Sequence, residues 1–281
     1  MRGKDPFLYM LSPKAEKIID DYFNLPFKGL ANIRCPYFNN ARRRGRGQLR
    51  ALIGKGAPEE IVEEAKILSV QYRHDFFDFD GRCKLCGEAK DANEIKEQVR
   101  KFLIDNDLGV DCSGFAAQVL RAHFKETKNI DIFSRAHSWP VGSWVRQLIT
   151  KLRPAENLSV RVFANDKFSE LISDGRKPFD YSKLKPGDIF IMLETGPQNK
   201  RNHILIVTGI DAGKISYVHA RAWSIEGKYG HGVSRGEIEV LVPERALLDQ
   251  TWEELEKLND ANETFLEAKN AKIFEVRRIK I

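Results

Sequence analysis

The apolar patterning of this chain changes period part-way along, and that change limits what it can fold into. Before about residue 125 the apolar residues recur at helical spacing. Ser12 as N-cap and Pro13 at the first helical position predict a helix over 12–24, with Ile18, Ile19, Tyr22 and Phe23 on one face. Pro58, an acidic first turn and Ile61, Val62, Ala65, Ile67 and Leu68 predict a second over 58–71. Asp91 and Glu94 form a capping-box pattern ahead of Ile95, Val99, Phe102 and Leu103, predicting a third over 91–106. After residue 158 the signals are short runs of strand type at 160–163, 189–193, 204–210, 215–218, 238–242 and 273–281, with one further helix at 251–269. Helices first and neighbouring strands afterwards give an α+β layout with a mostly antiparallel sheet. A boundary near residue 90 separates a basic, helical N-terminal extension, 1–90, from a domain of 91–281.

The join between the two regimes carries the chemistry. In Asp111-Cys112-Ser113-Gly114-Phe115 a cysteine stands at the mouth of a helix, since Phe115, Val119, Leu120 and Phe124 line one face of residues 113–125. Free backbone N–H groups and the positive end of the helix dipole favour a thiolate there. The backbone N–H groups of Cys112 and Ser113 can also hold the oxyanion of an acyl-transfer intermediate. The plainer alternative is an inert buried cysteine, the usual fate of a free thiol.

Further along, Leu184-Lys-Pro-Gly-Asp188 leads into an apolar strand, followed by Asn202-His203-Ile-Leu-Ile-Val-Thr-Gly209 and Tyr217-Val-His219-Ala220. This order resembles the NlpC family of papain-like cell-wall cysteine peptidases and amidases, over roughly residues 109–220. The resemblance implies a papain-like fold whose antiparallel sheet packs against the cysteine helix. It implies Cys112 as nucleophile, His203 as general base and acid, and His219 as the residue orienting His203. Peptidoglycan stem peptides or similar amides would be the substrates, and no cofactor is required for the chemistry. The family's tyrosine and glycine-rich turn shortly before the cysteine have no counterpart in Lys101–Leu108.

Cooperation between the two histidines sets a condition on the hairpin that joins them, because side chains alternate faces along a strand. A three-residue loop at 211–213 sets His219 opposite Leu205, on the same face as His203. A two- or four-residue loop separates the histidines unless a bulge restores parity.

Hydrophobic residues at 42% and charged residues at 31% fit a globular protein rather than a disordered one. No apolar run is long enough to span a bilayer and no secretory leader pattern is present, so the expected location is cytoplasmic, or outside the cell by release without such a leader. The net charge of +6 is concentrated in residues 1–50, where eleven Lys and Arg face four Asp and Glu, most densely at Arg42-Arg43-Arg44-Gly45-Arg46. Such a cluster can contact nucleic acid or an anionic surface, or pair with Glu59, Glu60, Glu63 and Glu64. Cys83 and Cys86 in Arg82-Cys-Lys-Leu-Cys-Gly87 have the spacing of half a zinc knuckle, with Cys35 and His74 as candidate completing ligands. A non-catalytic module that binds nucleic acid or another anion through the arginine cluster and a structural zinc is the alternative to the hydrolase. Asp75, Asp78 and Asp80 before Gly81 start a calcium-loop pattern that fails at Gly87, where its closing Glu belongs. His123 reads as core or surface filler, whereas His137 and His231 lie on predicted loops. Trp139, Trp144 and Trp223 fit either core or groove.

Overall fold

The computed structural model describes residues 10–38, 53–72, 76–78, 80–87, 91–136, 154–257 and 260–281. Arg42–Arg46, His74, His137, Trp139 and Trp144 lie outside the described residues. Helices α1 (Pro13–Phe23), α2 (Pro58–Gln71), α3 (Ala92–Asp105) and α4 (Cys112–Lys128) form where apolar residues recur at helical spacing. Asp91 caps α3 by accepting the Asn93 N–H at 3.0 Å. Ser12 does stand at the N-cap of α1, but its side chain makes no capping bond; its buried backbone N–H donates to His123 Nδ1 at 3.1 Å. Among the described residues four shorter helices follow, α5 (Ile132–Ala136), α6 (Val160–Phe163), α7 (Gly227–Gly230) and α8 (Glu263–Asn270).

Among the described residues seven strands form one sheet: β1 (Ser169–Asp174), β2 (Ile189–Thr195), β3 (Arg201–Asp211), β4 (Lys214–Arg221), β5 (Gly232–Glu239), β6 (Thr251–Glu254) and β7 (Ile273–Ile279). Their order is β1-β7-β2-β3-β4-β5-β6, and each neighbouring pair is antiparallel, so the fold is α+β. The pleat sorts side chains into two cores. Ile189, Ile191, Ile204, Ile206, Val218 and Ala220 join the core built on α1 and α4. Phe190, Met192, Leu205, Val207, Tyr217, Trp252 and Phe274 form the second, on the opposite face. With both faces covered, the run Ile204–Val207 is apolar at every position rather than alternating.

The first core crosses residue 90. Leu11, Ile19, Tyr22 and Leu25 are buried in the same cluster as Phe115, Val119 and Leu120. Tyr22 meets Phe115 edge to face at 5.1 Å and donates to Gly56 O at 2.7 Å. At roughly 1.5–3 kcal/mol for each side chain fully buried, these residues tie α1 firmly to α4.

Four segments depart from the sequence reading. Residues 160–163, predicted as a strand, form helix α6, because Val160 and Phe163 are the buried pair and their spacing of three suits a helical turn preceded by Ser159. The predicted helix over 251–269 divides into β6 and α8. Trp252 and Glu254 point inward while Thr251 and Glu253 are exposed, a period of two, and Asn262 caps α8 by accepting the Phe265 N–H at 2.9 Å. β5 occupies 232–239 rather than 238–242, and β1, in the polar run Ser169–Asp174, gave no apolar alternation to read.

The histidine hairpin meets its parity condition by the second of the two routes. Its loop has two residues, Ala212 and Gly213, both at positive φ (45° and 82°), as a tight hairpin turn requires. Asp211 therefore pairs with Lys214, which alone would separate the histidines. A bulge at Thr208 then shifts the register, so that Val207 pairs with Tyr217 and Ile206 with Val218. The same bulge leaves Thr208 O free to accept the Leu11 N–H at 3.0 Å, tying the chain ahead of α1 to β3.

Candidate active site

Asp111 is the N-cap of α4, accepting the Gly114 N–H at 2.6 Å and the Ser113 hydroxyl at 3.0 Å. Lys55, buried beside it, donates to Asp111 Oδ1 at 2.9 Å, to Leu158 O at 3.2 Å and to Ser113 Oγ. The Asp111 N–H in turn donates to Gly54 O at 2.9 Å. The segment around Gly54 and Lys55 thus clamps the helix mouth and fixes where Cys112 sits. Gly114 is what lets it come so close: a Cβ there would lie 2.1 Å from Gly54 O and 3.0 Å from Lys55 Cα. Gly114→Ala is expected to lower stability by about 1–3 kcal/mol, the usual cost of overpacking, measured as a fall in the thermal midpoint. An unchanged midpoint would contradict this packing.

Cys112 opens onto a cleft of about 440 Å³ whose lining includes Tyr37, Cys112, Ser113, Arg201, His203 and Glu267. The cysteine is 5% exposed, and its thiol reaches Asn202 O at 3.8 Å. Burial pushes the thiol up to about 12, with Asp111 adding to the rise and Lys55 opposing it. His203 moves the other way, well below the ordinary histidine range, through burial first and then the nearby His219, Arg201 and Arg221. Both directions favour the uncharged forms of the two groups. Burial thus opposes the thiolate that the helix mouth favours.

Behind His203 lies a buried hydrogen-bonded chain. His203 Nε2 is 2.6 Å from His219 Nδ1, and His219 Nε2 is 3.0 and 3.2 Å from the two carboxylate oxygens of Glu254. Glu254 also accepts the Tyr217 hydroxyl at 2.9 Å and the Ser234 hydroxyl at 2.6 Å, and the Arg221 guanidinium lies 3.4 Å away. His203 and His219 share the sheet face of Leu205 and Tyr217. Because His203 is the third residue of β3, it reaches the cleft at the strand end, whereas His219 and Glu254, 0% and 1% exposed, stay enclosed. Sequence reasoning missed Glu254 because it fell inside the predicted helix over 251–269. The alternation of Trp252 and Glu254 with polar neighbours was the available signal.

Tyr37 was also missed. A parallel bridge between Tyr37 and Val110 brings it beside the residues preceding Cys112, and it lines the same cleft. Burial, with Cys112 and Asp111 adding, holds its phenol well above the usual range, which keeps the O–H as a donor. Glu267 is raised by burial and accepts from Arg201 at 3.2 Å.

The remaining candidates gather elsewhere. Cys83 and Cys86 are joined in a disulfide with their Cα atoms 5.5 Å apart, so the two free thiolates a zinc knuckle needs are not present in this state. Cys35 is fully buried, its thiol donating to Pro36 O at 3.5 Å. Among the described residues no group of three or more His, Cys, Asp or Glu side chains is placed to hold a metal ion. His231 donates to Trp223 O at 2.7 Å, and Trp223 is core, its indole N–H donating to Thr264 Oγ1 at 3.1 Å.

The profile of one protein family, described as "Putative amidase domain", matches residues 75–225, more than half of the chain. The chain belongs to this amidase family. The amidase match takes in Cys112, His203 and His219, and ends before Glu254. It assigns the chain to amide hydrolysis as a class of reaction. No curated protein and no solved structure matches this amidase. Among its described residues no helix is long and apolar enough to cross a membrane.

Proposed function

We propose that this amidase is a thiol hydrolase with an NlpC-like, papain-type arrangement in which Cys112 attacks the amide carbonyl and His203 moves the protons. The observation that carries the reading is that Cys112 and His203 line one cleft while His219 holds the far nitrogen of His203. His203 Nε2 is engaged by His219, so Nδ1 is the nitrogen left to accept the thiol proton. That proton moves as the sulfur–carbon bond forms, since neither partner is charged at rest. The carbonyl electron pair passes to oxygen, where the N–H groups of Cys112 and Ser113 and the Tyr37 hydroxyl are the available donors. Collapse of this intermediate breaks the carbon–nitrogen bond, and His203 returns its proton to the departing amine. Water then attacks the thioester, giving one proton to His203. The carbon–sulfur bond breaks, and that proton restores the Cys112 thiol.

The substrate class follows from the resemblance to cell-wall peptidases: peptide amides such as those of peptidoglycan stem peptides. Incubation with soluble muropeptides and with peptidyl anilides, followed by mass spectrometry of the products, tests it. A new free amine paired with a new carboxylate is the expected result. Amide cleavage by the His203→Ala variant at the wild-type rate would refute the reading.

A further inference from the structure

We infer that Glu254 is a positioning residue for His203, acting through His219 to select the tautomer in which His203 can receive a proton. The inference rests on the thiol-hydrolase reading above. A carboxylate can only accept hydrogen bonds, so His219 Nε2, 3.0 Å from Glu254 Oε1, must carry its hydrogen. Where that is its one ring hydrogen, His219 Nδ1 is bare and accepts from His203 Nε2–H across 2.6 Å. His203 Nδ1 is then left bare and able to accept a proton. Without the carboxylate the chain can run backwards, with His219 Nδ1–H donating to His203 Nε2. His203 then carries its hydrogen on Nδ1 and cannot accept another.

The surroundings of Glu254 are built to keep it ionised. Burial alone would raise its carboxyl, but the His219 imidazole, the hydrogen bonds from His219 and Ser234, and the Arg221 guanidinium outweigh burial and hold it below its usual range. Arg221 is itself fixed by a salt bridge to Glu226 at 2.5 Å and by stacking 3.6 Å above the Trp223 ring. Tyr217 from β4 and Ser234 from β5 complete the shell, with Glu256 reaching Ser234 Oγ at 3.3 Å. On the His203 side, His219, Arg201 and Arg221 act on the ring, and the cleft it lines also holds Tyr37, Asp111, Cys112, Arg161, Lys200 and Glu267. Removing the Glu254 charge should therefore make the His203 imidazolium harder to form, and the acid limb of any His203-dependent rate should move to lower pH.

The test uses the full-length protein. Nitrogen-15 NMR of the histidine rings near pH 7.5 is expected to show His203 and His219 both protonated at Nε2 and bare at Nδ1. In Glu254→Gln the carboxamide can donate as well as accept, so the Nδ1–H forms should appear. The kcat for amide hydrolysis should fall about 10- to 100-fold with KM little changed. The rate of Cys112 alkylation by iodoacetamide should fall with it, its acid limb displaced to lower pH. A hydrogen on His219 Nδ1 in the unmodified protein would overturn the inference. So would a Glu254→Gln protein that has lost thermal stability but keeps the wild-type tautomers and pH limb. Should that variant not fold, the tautomers of the unmodified protein decide. Tautomers and alkylation are read without an amide substrate. Failure of the hydrolase reading would thus show as correct tautomers with no turnover, and failure of this inference as wrong tautomers in a protein that still turns over.

Discussion

Cys112→Ala is expected to abolish amide hydrolysis, by about 10³-fold or more, while leaving the thermal midpoint close to that of the parent. Both halves follow from the local geometry. The side chain lost is small, and only its sulfur is chemically useful; it sits at the first position of α4, where alanine is a favourable helix residue. Its thiol has the Asn202 carbonyl as a polar contact at 3.8 Å. The clamp made by Lys55, Asp111, Ser113 and Gly54 does not involve the Cys112 side chain and should hold. Steady-state rates on an amide identified by product analysis, together with calorimetry, check the prediction. Parallel loss of activity and fold would mean that Cys112 is mainly a packing residue.

Acidification is expected to destabilise the fold between about pH 6.5 and 4, in part through His123. Burial depresses its imidazole to about 4, and its Nδ1 accepts the buried Ser12 N–H, which a protonated ring cannot do. A folded-state value below the unfolded one means that the unfolded chain binds more protons across this window. The stability is therefore complete above the unfolded value near 6.5 and is lost as pH falls through 4. By pH 4 the loss from His123 alone is about 3 kcal/mol. His203 and His231, both lowered by burial, act in the same direction. Asp188 and Glu267, raised by burial, act in the opposite one, so the contribution of His123 is isolated with His123→Gln. Its amide oxygen can still accept from Ser12, and its stability should fall less steeply with acid. Urea midpoints measured from pH 7 to pH 4 check this, and equal slopes for the two proteins would contradict it.

What the sequence disclosed follows from where each element's information is stored. Helices α1 to α4 were readable because their apolar stripes and starting residues are local. Strands β2, β3, β4 and β7 announced themselves as apolar runs that a buried sheet requires. Edge elements did not: β1 is polar because it pairs along one side only, with β7, and the period-two alternation of β6 covers four residues, too few to outweigh a helical-looking acidic stretch. The site divides in the same way. Cys112, His203 and His219 sit in short motifs in a fixed order, and the parity of their hairpin could be framed in advance, although the route through a bulge at Thr208 could not. Tyr37, Lys55 and Glu254 reach the site from distant parts of the chain, and only the packing of α1, the Gly54 segment and β6 around the sheet brings them in.

The most direct test of the account is to catch the acyl group on the nucleophile. Protein quenched in acid during turnover of a peptidyl anilide, then examined by intact mass and peptide mapping, should carry one acyl group on the Cys112 peptide. That group should be released by hydroxylamine and be absent from Cys112→Ala. Turnover by Cys112→Ala at the parent rate, or an adduct confined to another residue, would contradict the account.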